Sequence, residues 1–270
     1  MLPVPGTEKR VVIPAARALP VWIYMPVNIN QPDRLIVAVH GISREYKSQL
    51  AAYKKLADKM GCGLLVPEFS RTTFPRYQQL AKDSSSQRAD TELNTFLVAL
   101  KVQLQQPFLK VHLCGYSGGA QFAHRYAMLY PQNVASLVLC SAGWYTCPDP
   151  AIEFPYGIAK WPAWLGKLRL EEMMKIPTLV MVGELDLKRE KSLRKSKALD
   201  AQQGRTRVER AENWVEAINH QKQQSAYARV QYKQLLGVGH DFQASSDSGE
   251  MMSHIESFWK EIGREKICVA

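Results

Sequence analysis

The chain carries 270 residues, 46% of them hydrophobic, which is enough to bury a large core and falls within the length range of one α/β domain. Its formal charge of +10 raises the question of nucleic acid or membrane, yet no run of about 18 apolar residues marks a membrane-spanning helix. Five cysteines at irregular positions argue against a disulfide framework and for reduced thiols in a cytoplasmic setting.

In chain order, residues 1–10 hold no basic segment followed by an apolar core, so no secretory signal is expected. Periodicity predicts a strand over 21–24, then an apolar strand over 35–39 closed by His40-Gly41-Ile42. A helix over 49–60 leads to a strand over 63–66 and a loop over 70–77. A second helix over 91–105 leads to Val111-His112-Leu113-Cys114, the last turns of a buried strand, and residues 120–129 repeat apolar side chains at helical spacing. Strands over 134–139, 178–182 and 230–236 follow, with helices over 208–221 and 251–262. This alternation predicts an α/β fold, a mostly parallel sheet with helices on both faces, with 1–270 forming one domain. Ligands in such sheets bind beyond the carboxyl ends of the strands.

Gly115-Tyr116-Ser117-Gly118-Gly119 lies between the 111–114 strand and the 120–129 helix, and reads as a nucleophile elbow. So sharp a strand-to-helix turn forces strained backbone angles on Ser117 and crowds the residues two before and two after it, so both must be nearly free of side chain. Gly115 and Gly119 meet that demand. An ordinary helix N-cap serine has no need of glycine on both flanks.

A serine nucleophile needs a base, and the base an orienting carboxylate, in the order Ser, Asp, His. The apolar run 177–182 ends in Gly183-Glu184-Leu185-Asp186, which leaves Asp186 at a strand's carboxyl end. After the 230–236 strand, Gly237-Val238-Gly239-His240 delivers an imidazole, and His240 is the candidate general base. Glu184 and Asp241 are rival acids, but the first comes too early in its turn and the second adjoins the base. His40 reads as a residue that orients its own loop. The other histidines show no paired metal-ligand spacing, so neither a metal nor another cofactor is expected. The Ser117 segment also lacks the lysine of a phosphate-binding loop.

With these residues in hand, the chain from about residue 35 to 259 resembles the α/β-hydrolase superfamily, and within it small bacterial esterase-like proteins related to polyhydroxybutyrate depolymerases. The resemblance rests on the Ser117 elbow, the Gly183 to Asp186 turn, the Gly-x-Gly-His at 237–240 and the His-Gly pair at 40–41. It implies an oxyanion hole made by the backbone N–H groups of Ile42 and Gly118. The loop departs from the longer lipase form, which has several consecutive glycines.

Residues 142–175 occupy the usual place of a cap, and their prolines argue against a long helical lid. Aromatic residues crowd this stretch, and two readings stand level, packing onto the body or lining an acyl or alcohol pocket. Trp144 here, Phe74 in the 70–77 loop and Tyr116 beside the nucleophile are the candidate substrate-binding side chains. The basic stretch of Lys188, Arg189, Lys191, Arg194, Lys195 and Lys197 lacks interleaved aromatics and reads as a solvated surface excursion, with no nucleic-acid partner. The expected function is a serine hydrolase of carboxylic esters, preferring short acyl chains. A thioesterase or peptidase would use the same triad, and a noncatalytic binding protein on the same scaffold is the rival from another class.

Overall fold

The computed structural model describes residues 2–31, 34–106, 109–222, 229–247 and 250–268. One eight-stranded sheet organises the chain. Its strands are β1 (Glu8–Ile13), β2 (Ala16–Tyr24), β3 (Arg34–Val39), β4 (Gly63–Pro67), β5 (Lys110–Tyr116), β6 (Val134–Cys140), β7 (Thr178–Gly183) and β8 (Gln231–Leu235). They lie in the order β1-β2-β4-β3-β5-β6-β7-β8, with β2 antiparallel to its neighbours and β3 to β8 parallel.

The central strands are buried along nearly their whole length because helices cover both faces. Side chains alternate between two apolar layers. Leu35, Val37, Val39, Leu113, Leu139 and Val180 belong to one, and Ile36, Ala38, Cys114, Val138, Leu179 and Met181 to the other. Helices α2 (Ala89–Leu104), α3 (Gly118–Leu129) and α6 (Arg207–Lys222) contribute to the first layer, and α1 (Tyr46–Met60) and α8 (Glu250–Cys268) to the second.

The sequence reading misses four elements. β1 is an edge strand whose Glu8, Lys9 and Arg10 are exposed, so its polar start hides the alternation carried by Val11 and Ile13. The other three are short helices, α4 (Leu170–Met174), α5 (Lys197–Gln203) and α7 (Phe242–Asp247), too brief to show a helical period. Between β6 and α4 the chain runs through turns and one 3-10 turn at Ala163–Leu165, in keeping with its prolines.

The basic stretch is largely solvated, as read in the sequence, with Lys188, Lys191, Arg194, Lys195 and Lys197 exposed, and it is anchored at a few points. Leu193 is buried, Arg189 pairs with Asp200 at 2.7 Å, and Arg210 of α6 donates both to the Arg194 carbonyl and to Asp200. Ser196 caps α5 by accepting the Leu199 N–H. Among the described residues, no helix is long and apolar enough to cross a membrane, and no group of three or more His, Cys, Asp or Glu side chains is placed to hold a metal ion.

Candidate active site

β5 enters α3 through Ser117, whose φ of 53° and ψ of −113° are a conformation that side-chain-bearing residues rarely adopt. Two contacts enforce the turn. The Ser117 N–H donates to the Cys140 carbonyl at 2.8 Å, and α3 packs so close to β3 that a Cβ on Gly119 would lie 2.0 Å from the Val39 oxygen. A Cβ on Gly115 would lie 2.3 Å from the Gly119 carbonyl group, so both flanking glycines are required by space.

The Ser117 Oγ and His240 Nε2 stand 3.1 Å apart, and His240 Nδ1 lies 2.7 Å from Asp186 Oδ2. The carboxylate can only accept, so Nδ1 carries the proton and Nε2 is left as an acceptor for the serine hydroxyl. Asp186 is buried, while His240 and Ser117 keep a small exposed edge toward the cleft.

The acid turn and the base loop are fastened directly to each other. Glu184 and Leu185 donate backbone N–H groups to the Leu235 and Val238 carbonyls, and a Cβ on Gly183 would lie 2.4 Å from the Val238 oxygen. The rival acids have other tasks. Glu184 Oε2 accepts the Gly237 N–H at 2.9 Å, bracing the base loop, and Asp241 Oδ1 accepts the Ala244 N–H at 2.7 Å in the first turn of α7.

Opposite this pair, the His40 loop crosses over Ser117, and a Cβ on Gly41 would lie 3.4 Å from Ser117 Cβ. Ile42 and Gly118 are neighbours here, an added Gly118 Cβ falling 3.2 Å from Ile42 N. His40 is fully buried. Its Nδ1 bonds to the Gly41 carbonyl, its Nε2 accepts the Phe69 N–H, and the Tyr77 hydroxyl donates to the His40 carbonyl at 2.6 Å. Burial pushes the His40 pKa down to about 4, so the ring is neutral at ordinary pH.

A cleft of about 340 Å3 opens over Ser117 and His240, walled by Ile42, Ser43, Gln49, Tyr116, Ser192 and Phe242 among others. Of the three side chains expected to bind substrate, Tyr116 lines it, its ring stacked on the His240 imidazole at 5.5 Å. Phe74 and Trp144 do not, which corrects the sequence reading. Phe74 is 1% exposed and packs edge-on against Phe69 inside the core, because the 70–77 loop folds inward under Arg44. Trp144 is 3% exposed, and the guanidinium groups of Arg125 and Arg194 lie over its ring, so it is already covered.

The sequence reading also misses Arg207. Its Nη1 donates to Asp186 Oδ1 at 2.9 Å, and Nη2 to Ser192 Oγ at 3.0 Å. A signal was present: Arg207 and Arg210 lie in and just after the first turn of α6, where the helix dipole disfavours cations, so their placement demands a compensating partner.

A family model described as alpha/beta hydrolase fold matches residues 67–173. The fold is similar to that of poly(aspartic acid) hydrolase-1 from Sphingomonas sp. KT-1, with a TM-score of 0.77 at 20% identity over 91% of this chain and 98% of that one. It is similar to a poly(3-hydroxybutyrate) depolymerase from Bordetella parapertussis, with a TM-score of 0.73 at 21% identity over 90% and 88% of the two chains. An S-formylglutathione hydrolase from Agrobacterium tumefaciens gives 0.59 at 16% identity over 93% of each. No curated protein matches the chain. The strand order, the family match and these likenesses show that the chain has the α/β-hydrolase fold.

Proposed function

We propose that the protein is a serine hydrolase of carboxylic esters. The observation that carries this reading is the unbroken chain Ser117, His240, Asp186 at a strained elbow opening on a cleft. In this reading His240 takes the Ser117 proton as the oxygen attacks the ester carbonyl, and Asp186 stabilises the imidazolium that forms. The Ile42 and Gly118 N–H groups receive the negative charge on the carbonyl oxygen, each such donor contributing about 3 to 4 kcal/mol. Collapse expels the alcohol, protonated by His240, and leaves an acyl-serine. Water, deprotonated by the same imidazole, then releases the acid and restores the hydroxyl.

The small cleft supports short acyl groups, and its wall gains nothing from added methylenes once its apolar surface is covered. Thioesters and amides would be attacked by the same machinery, and a screen of acetyl ester, thioester and amide substrates distinguishes them. Labelling with a fluorophosphonate tests the nucleophile: the native protein should be labelled and Ser117→Ala should not. A folded native protein that fails to react would favour a noncatalytic binding role.

A further inference from the structure

The triad acid has a second partner that the reaction just described does not use. Asp186 and Arg207 side chains are each 1% exposed, and the 2.9 Å bond between them is an ion pair buried one step behind the base. The other arm of Arg207 holds Ser192, whose hydroxyl belongs to a residue of the cleft wall. One guanidinium therefore spans from the triad acid to the substrate cavity. Its planar fork fixes the carboxylate from the side opposite the imidazole, which a single-point ammonium could not do while also holding Ser192.

From this geometry we infer that Arg207 is a positioning residue: it holds the Asp186 carboxylate in the orientation that His240 needs, keeps His240 ready to accept a proton, and couples Ser192 in the cleft wall to the triad. The inference rests on the ester-hydrolase reading of the site.

The electrostatic reasoning is direct. A buried carboxylate with no cation beside it takes up a proton more readily, either on itself or on the adjoining imidazole. With the proton on the imidazole, His240 cannot accept that of Ser117, and with it on Asp186, the imidazolium formed during attack loses its counter-charge. The groups that face the pair are Arg207 from α6, Tyr116 from β5, Cys140 from β6, Tyr145 from the stretch after β6, and Asp241 beside the base. Burial pushes the Tyr116, Cys140 and Tyr145 pKa values up, so these three are neutral. Among these facing groups only Arg207 opposes proton uptake.

The test compares native protein, Arg207→Met, Arg207→Lys and Ser192→Ala on a p-nitrophenyl acetate substrate across pH. Arg207→Met should lower kcat by about 10- to 100-fold, the loss usual when the outer partner of an orienting group is removed, with KM little changed. Its kcat/KM should also rise about one pH unit later than in the native protein. Arg207→Lys should restore part of both. Ser192→Ala should change KM more than the position of the pH limb, because the Asp186 contact persists.

A second readout needs no turnover: the hydrogen-bonded Nδ1 proton of His240, followed by NMR, should lose intensity and titrate later in Arg207→Met. A folded Arg207→Met with native kcat, pH limb and proton signal overturns the inference. If that variant does not fold, Arg207→Lys decides, and native values for all three in it would overturn the inference as well. Failure of the native protein to cleave esters or bind fluorophosphonate would instead sink the hydrolase reading, leaving the NMR result to judge Arg207.

Discussion

The two flanks of Ser117 are built from opposite materials. On the flank of β7 and β8, charge does the holding: Asp186 faces Arg207, and Arg210 and Arg189 converge on Asp200. The flank of β3 and β4 is held mainly by aromatic packing and neutral hydrogen bonds, with Phe69 against Tyr77, Phe74 and Phe122, and His40 locked between Gly41, Phe69 and Tyr77, while Arg44 donates to the Phe69 and Phe74 carbonyls and lies over the Tyr77 ring. The difference follows the proposed chemistry. An acid that must stay ionised while buried needs a cation, whereas a loop that aims backbone N–H groups at a developing oxyanion can be braced without a buried ion pair.

The charged flank breaks by losing a charge. Asp186→Asn should lower kcat about 10^4-fold, equivalent to about 5.4 kcal/mol, because the amide no longer holds the required imidazole tautomer. Glu184→Gln and Asp241→Asn should cost far less, since one braces a loop and the other caps a helix. Steady-state kinetics on the three variants checks the ranking, and an equal loss at Glu184 would move the assignment.

The neutral flank breaks by gaining an atom. Gly119→Ala drives a methyl group into the Val39 carbonyl, and should destabilise the fold by about 3 kcal/mol or more, since overpacking between two backbones has no side chain to yield. Urea unfolding of Gly119→Ala against Ser117→Ala, which removes only a hydroxyl, separates the steric cost from loss of the proposed nucleophile.

Acid sharpens the contrast on the neutral flank. His40 is neutral in the fold with a pKa lowered to about 4, while its unfolded value is about 6.5. Between these values only the unfolded chain binds the proton, so this contribution to stability is full above pH 6.5 and is lost as pH falls toward 4. From pH 7 to 5 the loss should be about 2 kcal/mol. His124, also buried and lowered, acts with the same sign. Urea melts of native protein and His40→Asn at the two pH values measure it, and an equal drop in both would show that His40 is not responsible.

The smallest effect concerns the cleft between the flanks. Each acyl methylene that finds apolar wall should add about 0.8 kcal/mol, and the gain should stop by about hexanoyl. A kcat/KM series on soluble, monomeric esters checks this. Continued increase through ten or more acyl carbons would reveal a longer tunnel and a lipase-like enzyme.

The sequence alone determined the elbow, because a strand that turns sharply into a helix permits only glycine at 115 and 119, and both positions are local in the chain. The buried strands of 35–39, 111–114 and 178–182 were equally legible from unbroken apolar runs. Asp186 and His240 were readable as strand-end residues in the right order, although 54 positions separate them. Only the tertiary structure decided which aromatics face the cleft: nothing in the spacing distinguishes Tyr116, stacked on the base, from Phe74 or Trp144, both turned into the core. Arg207 and Ser192 depended on it most. A side chain's partner across the sheet is set by how α6 packs beside β7, and that packing depends on the whole core.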